Sequence, residues 1–228
     1  MVIIDTESLA NTLDAVDDAL FHHRHLTETN RRQLAGWIAG RRGKPGSYAG
    51  MFAPTGEDLR NGIRVYTGEQ IGSGAGIRHI LGEEACRALI LLDVEDNTIR
   101  QALEQATAGI LGRLRQTEES GKVHGLFCCG MCSVAYWRNA MVGGLDRSEE
   151  RLTAGMAALK THRTDDSSWR RFPFYYTLLA LSEMNLRPAL DEMRHAAPLL
   201  ERRVKRKAQD NRFSERRRVI SERILAKC

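Results

Sequence analysis

The sequence predicts an all-α protein built from antiparallel helix pairs, arranged as an open α/α superhelix or partial toroid. Three observations predict it. Apolar residues recur at helical spacing along most of the 228 residues. Leu, Ala, Arg and Glu dominate while β-branched residues are sparse and prolines number only five, a mix that favours helices over strands. Residues 154–183, AGMAALKTHRTDDSSWRRFPFYYTLLALSE, read as a helix, a short charged loop ending on Trp169, and a second, aromatic-rich helix. That is the layout of one α/α hairpin.

The elements follow in order. Leu9, Leu13, Val16 and Leu20 form a stripe behind a Thr6 or Ser8 cap. Leu34, Trp37 and Ile38 mark a second helix over 28–41, and the Gly- and Pro-containing stretch 42–54 breaks it. Thr55 and Asp58 make a capping-box variant that opens a short third helix. The Gly-rich 70–76 leads to a fourth helix over 77–92, with His79 and Glu83 at the spacing of a helical pair, and a fifth covers 97–115. A polar linker over 116–122 precedes helix six, expected over 124–142 and stopped by Gly143-Gly144. Helix seven spans 148–162, Pro173 and Pro188 stand at first-turn positions of two more, and Pro198 is expected to start or kink another. The total is about ten helices, with no alternation that would predict a sheet.

Charge divides the chain. Residues 201–228 hold 11 Lys/Arg against 4 Asp/Glu; with +5 for the whole chain, the first 200 residues are left at −2. We therefore divide the chain into an α/α helical-repeat domain, 1–200, and a basic C-terminal helical segment, 201–228. Glu201, Glu215 and Glu222 punctuate that segment, and Val204, Phe213, Val219, Ile220 and Leu225 give it an apolar side. A helix docked on the body is expected, and nucleic acid is not expected as a partner.

The longest apolar run, around Ala88–Leu92, is far short of the ~18 residues that span a membrane. The start, MVIIDTESL, lacks the basic and apolar regions of a signal peptide. Five cysteines, three of them in CCGMC, do not form a secreted disulfide framework, so a cytoplasmic setting is expected.

An internal echo pairs 34–55 with 156–177: an apolar helix ending in basic residues, a loop, then an aromatic segment closing on Thr. Through Asp165, Asp166, Trp169, Pro173, Phe174 and Tyr175, residues 124–200 resemble a repeat of the α/α-toroid group, which includes terpenoid cyclases and protein prenyltransferases. The resemblance covers about a third of the chain and implies a fold. Neither the Asp-x-Asp-Asp nor the Asp-Asp-x-x-Asp motif is present, so it implies no catalytic residue.

Candidate ligand-binding residues are Asp165, Asp166, Trp169, Tyr175 and Tyr176. The acids suit a cation or a hydroxyl-bearing ligand, or else a capped turn, and the aromatics suit an apolar pocket or a staple between hairpins. Candidate metal ligands are His124, Cys128 and Cys132, which with Tyr136 would share one face of helix six, and Cys86 would offer a fourth ligand. Zinc is the cofactor they would suit. The competing expectation is that Cys128 and Cys132 are buried packing residues. Cys129-x-x-Cys132 spells a redox motif, but such a motif wants a strand before it and a helix N-terminus beneath it, and Phe127 and its neighbours read as helix interior. The function expected is a helical-repeat module binding a protein partner or an apolar small molecule, as monomer or homo-oligomer. The alternative is a prenyltransferase- or terpenoid-cyclase-like enzyme completed by a second subunit.

Overall fold

Helices start where capping side chains stand. In the computed structural model, which describes residues 4–121, 125–205 and 211–228, Ser8 caps α1 (Leu9–Phe21) and Thr27 caps α2 (Glu28–Ala39). Thr55 and Asp58 form a reciprocal capping box on α3 (Gly56–Asn61). Ser73 opens α4 (Gly74–Leu92) and Asp96 opens α5 (Asn97–Glu119). The second half holds α6 (Gly130–Met141), α7 (Ser148–Lys160), α8 (Phe174–Glu183), α9 (Arg187–Val204) and α10 (Arg212–Leu225), the last capped by Asn211. The all-α expectation holds. Expectations resting on 1–3, 122–124 and 206–210, His124 among them, lie outside the described residues.

The structure corrects three local readings. A two-stranded antiparallel hairpin, β1 (Ile63–Arg64) with β2 (Gln70–Ile71), sits between α3 and α4; two residues per strand are too few to show alternation. Pro198 neither starts nor ends a helix, because α9 runs through it to Val204. Helix α6 begins at Gly130 rather than near 124. The residue before it that breaks helical geometry is Cys128, at φ 57°, a left-handed conformation costly for a side chain with a Cβ.

Helix α4 is central and buried on most of its circumference. It packs against α1, α2, α5 and α6, while α8 packs against α6, α9 and α10. The two halves repeat part of one scheme: α1 on α4 and α6 on α8; α2 on α5 and α7 on α9; α4 on α5 and α8 on α9. The loops in the two echoing segments are each closed by a single antiparallel bridge, Arg42 with Phe52 and Arg163 with Trp169. Among the described residues no helix is long and apolar enough to cross a membrane.

The C-terminal segment lies against the body through its arginines as well as its apolar residues. Arg216 reaches Asp14 and Asp18 and lies 3.9 Å over the Tyr66 ring, and Arg223 donates to the Phe21 carbonyl. Ile220 and Ile224 are fully buried. Val204, assigned to the apolar side, is instead exposed at 43 %, as the last residue of α9. Position 200 falls inside α9.

Candidate functional site

The segment 125–133 is folded by a few specific contacts. Gly125 has φ 82°, and its carbonyl accepts the Trp137 indole N–H at 2.8 Å. The Ser133 hydroxyl accepts the Phe127 N–H at 2.9 Å and lies 2.9 Å from the Cys129 carbonyl. Gly130 is required where it stands: a Cβ there would lie 2.1 Å from the Arg171 carbonyl oxygen. Trp137 also stacks on Phe172, with centroids 5.6 Å apart and 10° between planes. The loop before α8 is thereby pinned against the start of α6.

Cys129 becomes the N-cap of α6, with Cys132 one turn in. The Sγ atoms of Cys128, Cys129 and Cys132 all lie within 4.8 Å of one another. Cys132 is buried, whereas Cys129 and Cys128 are exposed. The expectation of a buried Cys128 is therefore corrected: its left-handed backbone, ahead of the helix, turns the thiol outward. Cys128, Cys132 and Tyr136 share no helix face, since the helix starts after Cys128, His124 lies outside the described residues, and Cys86 is a fully buried core residue outside the group.

The electrostatics separate the thiols. The neighbouring Cys132 thiol, against a burial penalty and together with the Cys132 and Met131 amide N–H groups and the Cys128 thiol, brings Cys129 down to about 5, although the Cys129 side chain makes no cap hydrogen bond. Those N–H groups belong to the first turn of α6, where helix amides lack carbonyl partners and favour an anion. Cys132 is pushed up, first by the neighbouring Cys129 sulfur and then by burial. The arrangement is a thiolate at the surface and a protonated thiol beneath it. It is the helix N-terminus that a Cys-x-x-Cys redox pair requires.

A cleft of about 650 Å³ opens beside these sulfurs, lined in large part by Leu126, Phe127 and Phe172, with His162 and Arg171 as its charged or titratable members. No protein-family model, no curated protein and no solved structure matches this chain. Function has to be argued from the site itself.

The predicted ligand-binding residues are not gathered at this cleft. Asp166 accepts the hydroxyls of Thr164 and Ser168, which with its exposure accounts for its lowered pKa and closes its own turn. Asp165 is exposed. Trp169 is buried and donates to Glu192 at 2.9 Å. Tyr175 lies between Arg203 and Arg217, with cations 5.3 and 5.0 Å from its ring. Tyr176 is fully buried and donates to Glu84.

Two buried polar groups lie behind the site: the His79–Glu83 pair expected from its helical spacing, and a charged cluster that was not expected. His79 Nε2 lies 3.2 Å from Glu83, which also accepts from Asn139 at 2.7 Å, and the His79 ring meets Phe127 edge-on at 4.5 Å. This buried cluster backs the residue two before Cys129. Deeper, Arg138 donates to Glu84 at 2.6 Å, Asp17 at 3.1 Å and Glu183 at 3.0 Å, and Arg87 pairs with Asp17 and Glu183. Against strong desolvation, Arg138 and Arg87 hold Asp17 below its ordinary value, while burial keeps Glu84 above its own.

Proposed function

We propose that the protein takes an apolar small molecule into the cleft at the start of α6 and acts on it through a redox-active Cys129–Cys132 pair. The observation that carries this reading is the exposed Cys129 sulfur at the helix N-cap with the buried Cys132 sulfur within 4.8 Å of it. The thiolate attacks, and the protonated thiol one turn along resolves the adduct as a disulfide. Diamide oxidation of the full chain followed by peptide mapping tests it. A Cys129–Cys132 disulfide that dithiothreitol reverses is expected; failure of the two to join would remove the reading.

The third sulfur favours a second reading. Three Sγ atoms in one cluster suit a soft metal ion such as zinc, with thiolates as ligands. Elemental analysis separates the two: one equivalent of zinc, lost in Cys132→Ser, would put metal binding first. The prenyl-type alternative would be supported by turnover of a prenyl diphosphate with Mg²⁺.

A further inference from the structure

The cleft that holds the Cys129 sulfur also holds a group that could handle a proton. His162 lines it, half-buried, with its ring edge-on to Phe172 at 5.2 Å. Its Nδ1 lies 3.0 Å from the Ala158 carbonyl oxygen. A carbonyl oxygen can only accept, so Nδ1 carries a hydrogen and Nε2 is the nitrogen left to take up or deliver a proton.

That pairing bears on the leaving group. Exchange with a disulfide expels a thiolate, which leaves as an anion at neutral pH without help. Cleavage of an oxygen–oxygen bond expels an alkoxide or hydroxide, which needs a proton as it departs. A proton donor in the same cleft as the nucleophilic sulfur therefore fits an oxygen leaving group. The walls select further: Leu126, Phe127 and Phe172 offer apolar surface that hydrogen peroxide cannot use but an organic hydroperoxide can. The volume, about 650 Å³, is that of a small-molecule site.

Resting on the dithiol reading above, we propose that the substrate is an apolar organic hydroperoxide, reduced at Cys129, with the imidazolium of His162 as the proton donor to the departing oxygen. Its Nδ1–H is held by the Ala158 carbonyl, and its Nε2 delivers the proton. The sulfur of Cys129 attacks the terminal peroxide oxygen, the O–O bond breaks, and the alkoxide takes the His162 proton to leave as the alcohol. Cys129 is then a sulfenic acid. Cys132 attacks its sulfur, water departs, and the Cys129–Cys132 disulfide forms. A small external dithiol restores the pair, so one hydroperoxide and one dithiol become one alcohol, one water and one disulfide.

The test is the rate of Cys129–Cys132 disulfide formation in the full wild-type chain, read by mass spectrometry after quenching, with cumene hydroperoxide, hydrogen peroxide and diamide in parallel. Cumene hydroperoxide is expected to react at least about tenfold faster than hydrogen peroxide, a factor equivalent to about 1.4 kcal/mol of selective binding. His162→Gln is expected to slow the hydroperoxide reaction about a hundredfold, while its reaction with an aromatic disulfide, whose leaving group needs no proton, stays within about twofold. A melting temperature matching wild type would show that the variant is folded. Equal or faster reaction with hydrogen peroxide, alongside normal oxidation by diamide, would overturn the substrate assignment and leave the dithiol reading standing. Absence of the disulfide with all three oxidants would remove both.

Discussion

The first helix of each half begins with an anion at its N-terminus, and the two anions are used differently. At α1, Asp58 accepts the N–H groups of Leu9 and Ala10 and the Ser8 hydroxyl, at 3.0, 3.3 and 2.7 Å. It also accepts the Thr55 N–H at 2.8 Å and is 2 % exposed. At α6 the corresponding place is held by Cys129, whose sulfur faces solvent and a cleft. Asp58 accepts from helix amides directly, whereas the Cys129 side chain stands beside such amides without a cap hydrogen bond. A carboxylate saturated with donors and sealed from water is a structural pin, whereas a thiolate left reachable is a reagent. The comparison extends inward: Asp17 and Arg138 are each the ninth residue of their helices, α1 and α6, and they meet at 3.1 Å. The halves are joined there by opposite charges.

That joint is where the largest effect is expected. Arg138→Met removes one of the two cations that touch Asp17, Glu84 and Glu183, leaving the buried carboxylates to Arg87 alone. Breaking a buried pair from one side costs about 3–5 kcal/mol, measured by urea denaturation. The pH dependence should also reverse its sense. In wild type Asp17 is held below 3.8, so its contribution is present above that value and is lost as pH falls through the lowered one. Without Arg138 burial dominates, the carboxylates are raised, and the variant's deficit should shrink as pH falls through the carboxylate range. An equal deficit at acid and neutral pH would mean that this charge does not join the halves.

Asp58→Ala should come next. It removes side-chain acceptors from two helix starts, α1 and α3, at about 1 kcal/mol per cap and about 2 kcal/mol in all. If the pin and the reagent are independent, the rate of Cys129 alkylation is unchanged in this variant. A slower rate would show that the two helix ends are coupled through the core and would break the comparison.

How much of this was legible in the sequence depends on whether local chemistry sufficed. Thr55 with Asp58, the stripe on α1 and the prolines near the starts of α8 and α9 announced those helices, because caps, periodicity and Pro act within one turn. The echo of 34–55 in 156–177 reappears only as two loops that each carry one antiparallel bridge, Arg42 with Phe52 and Arg163 with Trp169, at positions that do not correspond. The start of α6 was not legible. Apolar residues on both sides of CCGMC continue a helical period, and only tertiary contacts, Gly130 against Arg171 and Trp137 on Gly125, force the chain to break at Cys128. That misplaced boundary hid the thiol site. The charged core was hidden too, although Asp17 stands eight residues after Leu9 and four after Leu13. A carboxylate in an apolar stripe was the available signal; its partner lies 121 residues away. His162 gave no signal, since its role depends on a cleft made by three segments.

The smallest change in stability and the largest in chemistry are expected at Cys129 itself. With its pKa lowered from 9.0 to about 5, its alkylation by iodoacetamide, followed on the Cys129 peptide, should be flat from neutral pH upward and halve near pH 5. A depressed pKa contributes stability that is fully present above the unfolded value and is lost as pH falls through the folded one. Wild type should therefore lose a little stability between pH 9 and pH 5 that Cys129→Ser does not lose, other groups being common to both. The sulfur is exposed, so solvent screens it and the difference at neutral pH should stay below about 1 kcal/mol. Asp58→Ala should show the reverse pattern, stability lost and thiol chemistry kept. If Cys129→Ser costs as much as Asp58→Ala, the α6 terminus is a pin like its counterpart, and the division of labour between the two halves fails.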